Sequence, residues 1–158
     1  MSQSEQVSGN EKRKIRSTTR LYAIQALFQM EQLGLSTDEV VEEFVVHRFG
    51  EEYEEGQLSD GDEALFKSIV ESAVNYQAYI DQLTDRALVK KWPIARIDPT
   101  LRSLFRAAAA EITQIKTPPK IVITEYVALA HAFFPDGKEP NFVNAVLDHM
   151  AREACPTE

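Results

Sequence analysis

From Ser17 onward the apolar residues fall at the three- and four-residue steps of an amphipathic helix. Leu21, Ile24, Leu27 and Phe28 lie on one side, and Gln25, Gln29 and Gln32 gather on the other. Gly34 is placed to stop this helix, since a helix commonly ends on a left-handed residue that glycine adopts without strain. Ser36-Thr37-Asp38-Glu39 then reads as a capping box, Ser at the cap and Glu three later. Val40, Val41, Phe44, Val45 and Phe49 give the second helix its stripe and Gly50 its end, although the valines would also suit a strand. The run EEYEEGQLSDGD predicts a solvated acidic loop, and Asp60 with Glu63 a helix start.

That third helix carries Leu65, Phe66, Ile69, Val70, Ala73, Val74, Tyr76 and Ile80, and one or two helical pieces continue from Tyr79 to Trp92, stopped by Pro93. Asp98-Pro99 has the cap-plus-proline signature of a helix start. The segment behind it, with four consecutive alanines at Ala107 to Ala110, has the strongest helix propensity in the chain and room for a close neighbour. Thr117-Pro118 repeats the start signature, Pro135-Asp136-Gly137 reads as a turn, and Glu139-Pro140 opens a last helix with Phe142, Val146 and Met150 on one face. No segment shows sustained strand alternation. The expected fold is therefore an all-α bundle of six or seven helices, residues 16–158 forming one domain behind a flexible basic arm at 1–15.

Composition narrows the class. At 158 residues and 44% hydrophobic the chain fills one domain with a real core. It has no apolar run long enough to span a bilayer and no signal-like N-terminus, and a single cysteine, Cys155, cannot form an internal disulfide; a reducing cytoplasm is the expected compartment. The net charge of −8 argues against a general polyanion binder, but it is unevenly spread. Residues 1–20 carry Lys12, Arg13, Lys14, Arg16 and Arg20 against Glu5 and Glu11, a net +3 beside −11 for the remainder. Between Asp38 and Glu63 eleven carboxylates face one arginine, Arg48. Because salt screens charges beyond about 8–10 Å, a basic patch can act locally on an acidic protein. So few phosphate contacts give modest affinity, which implies help from a partner.

Signs of catalysis are thin. There is no Gly-rich phosphate loop, and His47, His131, His149 and Cys155 have no ligand-like spacing, so neither cofactor nor metal is expected. The better candidates are Arg13, Arg16 and Arg20, which fall within about a 60° arc of one helical face. Guanidinium groups suit phosphate oxygens and stack on bases. Positive charge at a helix start opposes the macrodipole, a small cost that favours a functional reading over a merely solubilising tail. Phe28 and Phe142 could stack unpaired bases, though burial is the commoner fate of any one Phe.

Four segments, TTRLYAIQALFQME, LRSLFRAAAAEI, PPKIVITEYVALAHAF and NFVNAVLDHMARE, together resemble the NusB family, in the same order and at similar spacing. The resemblance implies two small helical subdomains packed into one all-α body. It also implies binding of boxA-type single-stranded RNA with NusE, a ribosomal small-subunit protein that doubles as a transcription factor, and entry of that pair into RNA polymerase complexes that resist termination, above all on ribosomal RNA operons. Carried over by position, Arg16, Arg20 and Phe28 would serve RNA from the first helix, and Asn141, Phe142 and Asn144 from the last. A free copy could pair with a second one. The chain departs from the family pattern where Asn141 replaces a common Lys, Ala145 a Gly, Thr124 an Asn and His131 a Lys. Two lost lysines shift the expected phosphate contact toward Lys12, Arg13 and Lys14. Two other readings stand beside this one: a protein-only helical adaptor with weakened RNA binding, and a detached domain related to RNA cytosine methyltransferases, against which the missing Gly-rich motif speaks.

Overall fold

The computed structural model describes residues 9–50, 52–53, 56–57, 61–88 and 96–155. Among them run seven α-helices: α1 Gly9–Leu33, α2 Thr37–Glu42, α3 Glu63–Asn75, α4 Gln77–Ala87, α5 Pro99–Ala110, α6 Pro119–Phe133 and α7 Glu139–Ala154. Single π-helical turns extend α2 over Glu43–Arg48 and α5 over Glu111–Ile115. A minimal antiparallel pair, β1 Glu52–Tyr53 with β2 Gly56–Gln57, sits inside the segment expected to be a plain loop.

Local chemistry sets most boundaries as the sequence implies. Ser36 accepts from the Glu39 amide while the Glu39 side chain accepts from the Ser36 amide, a complete capping box. Asp98 accepts from the Thr100 amide with Pro99 at the first helical position. Gly34 and Gly50 both take positive φ, 68° and 73°, where a Cβ would be strained.

Four boundaries differ. The first helix reaches back to Gly9, into the stretch expected to be a free arm. Extending an existing helix costs little, Ile15 is half-buried, and Glu11 in the first turn offsets part of the dipole penalty. The third helix is capped by Asp62, whose side chain accepts from the Leu65 amide, and it breaks at Tyr76 before α4. The cap expected at Asp60 and the stop at Pro93 lie outside the described residues. Finally, Thr117 does not cap α6: Pro118 holds that position and the Thr117 hydroxyl is used elsewhere.

The core is continuous. Helix α5 is its axis, touching α1, α3, α4, α6 and α7, and Ala107 to Ala110 have no solvent exposure at all. Methyl side chains let the neighbouring helices come close. Around the first half, Tyr22, Phe44, Phe49 and Phe66 form an aromatic cluster with ring centroids 4.8–6.2 Å apart. In the second half α6 packs along α7, and α7 against α4. Half-buried Arg102 and Arg106 tie α5 to Glu31 of α1, and Arg106 also grips Asp81 of α4 at 2.9 and 3.0 Å.

Two outcomes test this packing. Replacing Ala109 with Leu forces extra volume into filled space and should lower stability by about 1–3 kcal/mol in urea unfolding. The Glu31 carboxyl is held below its ordinary value, first by the hydrogen bond from Arg102 and then, against some burial, by the charges of Arg102 and Arg106. A depressed carboxyl stabilises above its unfolded pKa and loses that contribution as pH falls through the folded one. Melting temperatures of Glu31→Gln should therefore fall less steeply than wild type below about pH 4.5.

Candidate nucleic-acid interface

Arg13, Arg16 and Arg20 share one stripe of α1, but the fold treats them differently. Arg13 and Arg16 are exposed at the helix start, whereas Arg20 is 3% exposed. Its guanidinium is turned inward onto Glu111, Nε donating at 2.7 Å and Nη2 at 3.1 Å. The same carboxylate accepts from the Tyr126 hydroxyl at 2.7 Å and the Thr117 hydroxyl at 2.9 Å. Against the expectation that Arg20 offers its charge to a phosphate, in the fold its Nε and Nη2 are committed to Glu111 and little of the group reaches solvent.

The cluster has a local cause. The chain widens into a π turn at Glu111, reverses at Lys116 with φ of 67°, and the Thr117 amide donates back to the Glu111 carbonyl at 3.0 Å. This aims the Glu111 side chain at α1 while bringing Thr117 and α6 against it. Burial by itself would lower the Arg20 pKa, but the hydrogen bond and charge of Glu111 carry it above its ordinary value. Burial first, and then the Glu111 carboxylate, push the Tyr126 phenol well above 10. Arginine stays charged and tyrosine stays a neutral donor.

Beside this cluster opens a groove of about 580 Å³ between the starts of α1 and α6. Arg13, Arg16 and Lys120 line it together with Thr124, the exposed Ile121 and the largely buried Glu125. Lys120 escaped sequence reading because it belongs to a different helix; its position one residue inside the Pro118-Pro119 start was the only signal. The rings lie elsewhere. Phe28 is 37% exposed in a second groove of about 600 Å³, with Gln25, Gln29, Gln32, Arg48 and Phe133. It is twelve residues beyond Arg16, about 18 Å along the helix. Phe142 is half-buried, edge-on to Phe105 at 6.0 Å, in a third groove with Arg96, Phe134 and Lys138. Asn141 and Asn144 are exposed on the same turn of α7. Phe133 and Phe134, 6.5 Å apart, join the second and third grooves. The fold therefore unites Arg13 with Arg16, and brings the grooves of Phe28 and Phe142 both to the start of α5, but keeps the basic groove apart from both rings.

Among the described residues no three His, Cys, Asp or Glu side chains converge as metal ligands, and no helix is long and apolar enough to cross a membrane. Fold and surface together define an all-α binding protein whose open chemistry is cationic at one end and aromatic with amides at the other. The NusB family matches residues 17–152 of the chain. A transcription antitermination protein NusB of Granulibacter bethesdensis is 42% identical over 155 residues, 94% of each chain. Among solved structures, T. maritima NusB superposes with a TM-score of 0.72 at 25% identity, covering 89% of this chain and 93% of that one. NusB from a complex of the antitermination factors NusB and NusE with dsRNA shares the fold at a TM-score of 0.71 and 23% identity, covering 87% and 96%. The chain belongs to the NusB family: it is a transcription antitermination factor and not an enzyme.

Breaking one side of a buried ion pair leaves an uncompensated charge, at a cost of about 3–5 kcal/mol. Arg20→Gln should lose stability on that scale in chemical unfolding. Arg13→Gln, at an exposed position, should stay within about 0.5 kcal/mol of wild type. Equal small effects would show that Arg20 is not the anchor.

Proposed function

We propose that this protein binds boxA-type single-stranded RNA together with a NusE-type ribosomal protein, and that the pair joins RNA polymerase during ribosomal RNA transcription in the cytoplasm. The observation that carries the reading is the open groove of Arg13, Arg16 and Lys120 on a chain of net charge −8. Cations collected from two helices on an acidic body serve phosphate oxygens, and the attraction is local.

The remaining parts divide the work. Arg16 and Lys120 hold phosphate, with Arg13 beside them in the same groove. Phe28 and Phe142 offer ring faces to unstacked bases, and Asn141 and Asn144 offer amides to base edges. Arg20 acts by positioning the first helix rather than by touching RNA. The acidic stretch from Asp38 to Glu63 suits a basic partner and would speed its arrival. That a protein of the same fold was solved in a complex of NusB and NusE with dsRNA supports a NusE-type protein and RNA as partners. Two partners contributing contacts to one strand raise a modest affinity well beyond either alone.

Fluorescence anisotropy with a boxA-type RNA and a shuffled control, each with and without NusE, tests the proposal. Tighter binding of the boxA strand is expected, further strengthened by NusE and weakened by added salt. Equal titrations for both strands with NusE present would refute it.

A further inference from the structure

The basic groove holds back part of its charge. Four cations line it, Arg13, Arg16, Arg20 and Lys120, against two carboxylates, Glu111 and Glu125. Arg20 and Glu111 cancel each other inside the buried cluster. Glu125 stands differently. Its side chain is 10% exposed at the groove wall, 3.5 Å from Arg13 Nε and 3.8 Å from Arg20 Nη1. Because two hydrogen bonds commit Arg20 to Glu111, the movable partner of Glu125 is Arg13, whose side chain is 66% exposed. Among the described residues, exposed Arg16 makes no ion pair.

We infer that Glu125 is an internal competitor for RNA phosphate. An incoming phosphodiester that engages Arg13 must pull that guanidinium from Glu125 or settle near a fixed negative charge. The groove therefore takes one phosphodiester of a single strand at its rim, on Arg16 and Lys120, and turns a second away from Arg13. At roughly 6 Å in a water-like medium one such repulsion corresponds to a change of about three- to tenfold in affinity. The inference rests on the RNA reading above and deepens it: the chain's own affinity is held down by a built-in carboxylate, which leaves retention of the strand to a partner's contacts.

The test uses the full chain and a single-stranded boxA-type RNA, titrated across a series of salt concentrations. Glu125→Gln should bind about three- to tenfold more tightly, with a salt dependence steeper by about 0.7 for the extra phosphate admitted. Arg13→Gln should cost less affinity than Arg16→Gln, because Arg13 is already partly neutralised. In the Arg13→Gln background the gain from Glu125→Gln should shrink. A Glu125→Gln protein that melts like wild type yet binds no tighter overturns the inference, as does Arg13→Gln costing as much as Arg16→Gln. That second comparison uses exposed positions and decides the matter even if Glu125→Gln does not fold. If neither Arg16→Gln nor Lys120→Gln weakens binding, the RNA reading of the groove has failed and the inference falls with it.

Discussion

A single carboxylate organises one end of this molecule. Glu111 is wholly buried, and it is tolerable there because Arg20, Tyr126 and Thr117 give it four hydrogen bonds. An ionised group without such partners would be expelled or neutralised. The requirement works in both directions: α1, the end of α5 and the start of α6 must meet in one arrangement for the donors to converge. Buried pairs of this kind contribute little net stability compared with apolar packing, so the return here is geometric. Register between three helices is fixed at a point where hydrophobic contacts alone would tolerate some sliding.

The exposed chemistry follows from that fixed register. With Arg20 pinned, Arg13 and Arg16 project from α1 at set angles across from Lys120. The charges that remain available are those the buried cluster does not consume. Charge totals conceal this: a net of −8 describes the body, whereas the surface that matters lies where two helix starts meet. The Phe28 ring lies about 18 Å further along α1 than Arg16, so a strand using both would have to run along that helix.

Much of the architecture was legible in the sequence. The capping box at Ser36, the Asp98-Pro99 start and the stops at Gly34 and Gly50 are local chemistry, and each appears where local chemistry puts it. The alanine run announced the central helix. What the sequence hid were relations between distant residues. Periodicity grouped three arginines on one face, and it was right about the face. It could not show that the innermost would meet Glu111, 91 positions away. Thr117 carried a plausible cap signature, yet a tertiary acceptor outcompeted the local one. Lys120 joins the groove only because α6 lies beside α1. Tyr76 broke a helix that its apolar stripe would have continued, and Asp62 caps that helix.

The four alanines of α5 have one more consequence. Side chains reduced to methyl groups allow helix axes to approach toward the short end of the usual 8–10 Å range. The basic groove and both aromatic grooves border helices that lean on α5. The spacing between charged and aromatic surfaces is thereby written into the thinnest element of the fold, which serves as a gauge block: lineages that enlarged it would alter the reach demanded of any ligand spanning the faces, without touching a single contact residue.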